Sequence, residues 1–185
     1  MPPTGFTFAF TVFLYVSLMH VAHVHGLPPS SQLILNETTR KVPVILGVMS
    51  QCPDALYCEA VFDRVLEQVG DIVDLQLSFI GRIDATEPTH HGVTCRHGPA
   101  ECTGNVHELC VASLYPARAH WWPFVLCSNA HGRVEVGKED VSSRCARAGG
   151  LSWRTIRECV TAEGEMGGDA LLKASVVQSE MLGIR

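Results

Sequence analysis

The chain has 185 residues, enough for one domain with a sizeable core. Its net charge of −5 and pI near 6.0 argue against nucleic-acid or anionic-membrane binding. Eight cysteines are many for a cytosolic protein, and an even number suits pairing in an oxidising compartment. With eight, about 105 pairings are open, and sequence alone selects none.

The N-terminal residues 6–22 are apolar apart from Thr, Ser and His20, and Pro28 and Pro29 break the run. Val24 and Gly26 are small enough for positions −3 and −1 of a signal-peptidase site, which places cleavage after Gly26. The first basic residue is Arg40, so the usual charged leader is absent, and a retained signal anchor is the alternative. Asn36-Glu37-Thr38 is a glycosylation sequon, meaningful in a chain that enters the secretory pathway. Residues 27–41 form a linker, and residues 42–185 the domain proper.

Residues 42–49 are rich in Val, Ile and Leu and short enough for a buried strand, with Pro43 at its start or on an edge. Cys58, Val61, Phe62, Val65, Leu66 and Val69 then recur at helical spacing, and Gly70 ends the pattern. Residues 72–80 read as a second strand. Strand, helix and strand within forty residues predict a parallel βαβ unit. Beyond it, residues 101–114, 140–148, 151–162 and 168–182 read as helices separated by Pro116, Pro123, Gly132, Gly149-Gly150 and Gly164. Trp121-Trp122-Pro123-Phe124 is expected to pack a helical subdomain, with a substrate-contacting groove as the sharper alternative.

The most specific stretch is Cys95 to Cys110, C-R-H-G-P-A-E-C-T-G-N-V-H-E-L-C. It resembles the signature of the gamma-interferon-inducible lysosomal thiol reductase family, C-Q-H-G-x2-E-C-x2-N-x4-C. Cys95, His97, Gly98, Glu101, Cys102, Asn105 and Cys110 match, and Arg96 stands in place of Gln. The resemblance implies an α/β fold: a thioredoxin-like core carrying a disulfide-stapled α-helical insertion at about residues 95–165. A core of that kind closes with two further strands and a proline loop. Neither pattern follows residue 182, and the last proline is Pro123, so the closing strands are expected to be missing.

The resemblance also implies a thiol–disulfide oxidoreductase of the secretory or lysosomal pathway. Its partners would be disulfide-containing protein substrates and an external thiol reductant, with no organic cofactor and no nucleic acid. A membrane would matter only if the N-terminal segment were retained. Such a fold places its attacking cysteine where the first strand meets the first helix, where the helix N-terminus favours a thiolate. Cys52, followed by Pro53, occupies that join and is the expected nucleophile. Cys58, at the head of the apolar stripe, is the expected resolving partner. The spacing departs from C-x-x-C: in a continuous helix six steps separate the two backbones by about 9 Å, whereas a disulfide needs about 7 Å or less. The pair bonds only if residues 53–56 form a turn; a structural bridge and unpaired cysteines are the alternatives. Another alignment puts Cys58 on the family's second cysteine and Ala55 where the first would be. Asp54 works against a thiolate at Cys52.

Cys95, Cys102, Cys110, Cys127, Cys145 and Cys159 are expected to staple short helices that bury too little surface to hold together alone. Zinc held by the first three with His97 or His107 fits no standard spacing, so no metal is expected. His97 either carries protons or caps the turn into the helix that Glu101 begins. The alternative function is a catalytically inactive, disulfide-stapled secretory protein of the same descent.

Overall fold

A computed structural model describes residues 40–86 and 91–185. The predicted signal segment, cleavage after Gly26 and the Asn36 sequon lie outside the described residues. Among the described residues, no helix is long and apolar enough to cross a membrane.

Strand β1 (Val42–Val48) leads through a short turn into helix α1 (Pro53–Val69). A 3-10 turn at Gly70–Ile72 feeds β2 (Val73–Phe79), which pairs parallel with β1 from Val42 opposite Val73 to Val48 opposite Phe79. The βαβ unit predicted from the alternation of apolar runs is therefore present. A second, antiparallel pair joins β3 (Arg82–Ile83) to β4 (Val93–Thr94). Five helices follow: α2 (Pro99–Leu114), α3 (Arg118–Ala130), α4 (Glu139–Ala148), α5 (Trp153–Thr161) and α6 (Gly168–Met181). The architecture is mixed and helix-rich, with two small sheets and three disulfides.

Helix α1 starts at Pro53 with Cys52 as its N-cap, as the place of the proline predicts, because Pro is already set for the first helical position and its missing N–H would have no partner there. Two local expectations need correcting. The inward face of α1 is rotated. Ala55, Glu59 and Leu66 are buried with Phe62 partly so, whereas Val65 and Val69 are exposed. Helix α3 was not expected, since Pro123 reads as a breaker; here the proline lies inside it. The helix gives up one backbone bond there but buries Trp121, Trp122, Phe124 and Val125 almost completely. The two indoles meet edge to face at 5.6 Å. Burial of these large side chains, each worth about 1.5–3 kcal/mol, outweighs the lost bond.

The core lies between the β1–β2 pair and helices α2 and α6, with Phe79, Val106, Val111, Leu172 and Val176 at 0–1 % exposure. Helix α6 is fastened to the end of β2 through hydroxyls: Ser175 Oγ accepts the Phe79 N–H at 2.8 Å, and Ser179 Oγ donates to the Phe79 carbonyl at 3.0 Å. Cys110–Cys159 ties α2 to α5, and Cys127–Cys145 ties α3 to α4. Cys95–Cys102 ties the loop after β4 to the first turns of α2.

Candidate functional site

Cys52 is the N-cap of α1, partly buried and unpaired, immediately beyond the C-terminal end of β1. Its N–H donates to the Met49 carbonyl at 2.9 Å, closing a tight turn over residues 49–52. Its own carbonyl accepts the Leu56 N–H at 3.1 Å and starts the helix.

What holds this turn is the 95–110 run. Asn105 Oδ1 accepts the Ser50 N–H at 3.0 Å, and a Glu101 carboxylate oxygen accepts the Gln51 N–H at 3.3 Å. Ser50 Oγ donates to the Glu101 carbonyl at 3.1 Å. Gln51 Nε2 donates to the Val136 carbonyl at 2.7 Å. Glu101 and Asn105 are wholly buried, so leaving any of these groups unpaired would be costly. Glu101 also accepts the His97 N–H at 3.2 Å and pairs with His97 Nδ1 at 2.5 Å. Asn105 Nδ2 donates to Cys95 Sγ at 3.7 Å.

The glycines of the run follow from the same geometry. Gly98 caps α2 with φ 96°, a region where a side chain is strained. Gly104 lets the turn approach α2: a Cβ there would sit 2.5 Å from Ser50 Oγ. The sequence signature and the candidate nucleophile are thus one construction, a link that reading them as separate motifs does not reveal.

Cys58 stands elsewhere. The helix is continuous from Pro53, so Cys58 lies about two turns along from Cys52, about 9 Å by helical rise. It is free and exposed rather than facing the core as expected. Direct bonding requires the first turns of α1 to unwind. Ala55 is the residue three positions after Cys52, where the second cysteine of a C-x-x-C would fall, and it is buried. The structure does not bring a second thiol to Cys52.

The six remaining cysteines form the three bridges, so none offers a thiolate to a metal. Cys127, Cys145 and His131 place their ligand atoms within 4.8 Å of one another, but both sulfurs are joined in a disulfide. His107, the other histidine considered for zinc, is buried. Its Nδ1 lies 2.8 Å from Ser142 Oγ, and its ring meets Trp153 edge-on at 5.2 Å. Burial, with a smaller contribution from the His91 charge, depresses it from 6.5 to about 4.

Sequence reasoning passed over two acids behind the Cys52 helix. Glu59, on the buried face of α1, is 2 % exposed, and Asn129 Nδ2 donates to it at 2.6 Å. Burial raises it from 4.5 to about 7, against a lowering by that hydrogen bond. Glu108 on α2 is buried with both carboxylate oxygens unpartnered. Burial and the neighbouring Glu59 push it well above the ordinary carboxylate range. Register was a signal for Glu59 alone, which falls with Ala55, Phe62 and Leu66; Glu108 shares its helix face with Asn105 and Glu101, so its burial had no such signal.

The chain is thus a mixed, helix-rich, disulfide-stapled protein with an unpaired, partly buried thiol at a strand-to-helix join. The family described as gamma interferon inducible lysosomal thiol reductase (GILT) matches residues 43–148, and the chain belongs to it. GILT-like protein 1 of Drosophila melanogaster is 27 % identical over 135 residues, covering 66 % of this chain and 54 % of that protein. The chain therefore spans about half the length of that curated relative.

Proposed function

We propose that this protein carries out thiol–disulfide exchange on protein disulfides, with Cys52 as the nucleophile and an external thiol in place of an internal resolving cysteine. The observation that carries this reading is the clamped turn: buried Glu101 and Asn105 fix the backbone that presents an unpaired Cys52 at a helix N-terminus. Family membership supports the reaction class, and the parallel β1–α1–β2 unit is compatible with a thioredoxin-like core. The three disulfides suit the secretory or lysosomal setting in which such exchange is useful.

The Cys52 thiolate attacks one sulfur of the substrate disulfide. A Cys52–substrate bond forms as the substrate bond breaks, and the departing thiolate takes a proton from solvent. A first external thiolate then attacks the Cys52 sulfur and displaces the second substrate thiolate. A second external thiolate attacks the sulfur of the first, releasing the oxidised reductant and restoring the Cys52 thiolate. Two electrons pass from the external thiols to the substrate. Cys58 enters this sequence only if α1 unwinds.

The test is reduction of a denatured disulfide protein by the full chain with excess small thiol. Cys52→Ser should abolish the catalysed rate, and Cys58→Ser should retain it. Loss of activity in Cys58→Ser, with Cys52→Ser active, would reverse the assignment. Ala55 beside Cys52 favours a second reading, a stapled protein without catalysis. A folded wild type in which Cys52 never exchanges would establish that one.

A further inference from the structure

A cavity of about 290 Å³ opens beside the Cys52 turn, and three arginines, Arg82, Arg96 and Arg185, line it together with Met49, Thr94 and Cys95. No acidic side chain contributes to its wall. Three of its eight lining residues are cationic, in a chain of net charge −5. Asp84 pairs with Arg82 at 3.6 Å, whereas Arg96 has no acidic partner among the described residues. Arg96 is also the one position at which the signature run carries a cation in place of a neutral amide.

The cavity connects to the Cys52 turn through two of its own residues. Met49 supplies the carbonyl that accepts the Cys52 N–H, so the cavity wall and the nucleophile belong to one turn. Cys95 is held by Asn105, the side chain that grips Ser50.

We propose that this cavity binds a carboxylate carried close to the reacting sulfur, so that Cys52 exchanges preferentially with anionic thiols and with disulfides flanked by acidic residues. This rests on the exchange reading above. Guanidinium groups in fork geometry match a carboxylate, and a positively lined cavity raises the local concentration of anions.

The experiment uses the full chain carrying Cys58→Ser. Cys52 is first converted to a mixed disulfide with 2-mercaptoethanol. Its release is then timed with mercaptoacetate, 2-mercaptoethanol and cysteamine, which are anionic, neutral and cationic. Each rate is divided by that of the same thiol on a small disulfide at equal thiolate concentration. At low ionic strength mercaptoacetate should lead cysteamine by about tenfold, and Arg96→Gln or 0.5 M salt should compress the ratio to about twofold. A parallel arm times attack by Cys52 on disulfide peptides with acidic or basic flanks. Preference in the thiol arm assigns the carboxylate to the reductant, and preference in the peptide arm assigns it to the substrate. Equal normalised rates in both arms would overturn the proposal.

If Cys52 takes up no probe, the exchange reading fails by itself. The cavity is then judged by binding: arginine side-chain resonances of Cys52→Ser protein are titrated with S-methyl mercaptoacetate. Saturable shifts that vanish in Arg96→Gln retain the site, and their absence refutes it.

Discussion

Glu59→Gln should stabilise the protein at neutral pH and not at acid pH. In the folded state Glu59 titrates near 7 rather than at its ordinary 4.5, because burial penalises its charged form. Its folded value is raised, so the folded state binds the extra proton between those two values. Stability from this group is fully present below about pH 4.5 and is lost as pH rises to about 7. At about 1.4 kcal/mol per pH unit the loss totals about 3 kcal/mol. His107 works in the opposite direction. Depressed from 6.5 to about 4, it withdraws a similar amount of stability as pH falls through that window. Glu108, also raised by burial and by Glu59, works in the same direction as Glu59. The wild-type curve therefore mixes opposed effects, and the diagnostic quantity is the difference between variant and wild type. Gln keeps an oxygen for the Asn129 amide and removes the charge. Urea unfolding with disulfides intact, at pH 4.5 and 7.5, should show the variant gaining about 3 kcal/mol on wild type between the two. A pH-independent difference would refute the buried-charge argument.

Three further outcomes follow from packing and connectivity. Gly104→Ala places a Cβ 2.5 Å from Ser50 Oγ and 2.9 Å from Val136 Cγ1, so it should cost about 1–3 kcal/mol and slow exchange at Cys52; unchanged unfolding and unchanged rates would contradict the close approach. Glu101→Gln removes a charged acceptor shared by His97 and Gln51, and should destabilise by about 2 kcal/mol while lowering the Cys52 reaction rate, both read on the same preparation. Removing Cys110–Cys159, which spans 49 residues, should cost about 4 kcal/mol against about 2 kcal/mol for Cys95–Cys102, which spans 7. Thermal or urea unfolding of the paired Cys→Ala variants checks that order.

The βαβ start and four of the five later helices were legible because their apolar spacing and glycine stops are local signals. Helix α3 was not, since Pro123 is a strong local breaker and only tertiary burial of Trp121 and Trp122 overrides it. The face of α1 was misplaced for a related reason. Counting apolar residues put Cys58 and Val65 inward, but Glu59 occupies the buried stripe and accepts a hydrogen bond from Asn129, which sequence spacing cannot register. Cys52 was legible from its place between strand and helix. The grip of Glu101 and Asn105 on its turn was not, because it joins residues 50 or more positions apart.

The central claim is that Cys52 acts as a single clamped thiol. The direct measurement is peptide mapping, under acid quench, of the full chain after brief exposure to a limiting small disulfide. The account predicts that Cys52 carries one half of the probe and keeps it until a second thiol is added, with no Cys52–Cys58 bond formed. Release of both probe halves with a Cys52–Cys58 disulfide in the map would contradict it.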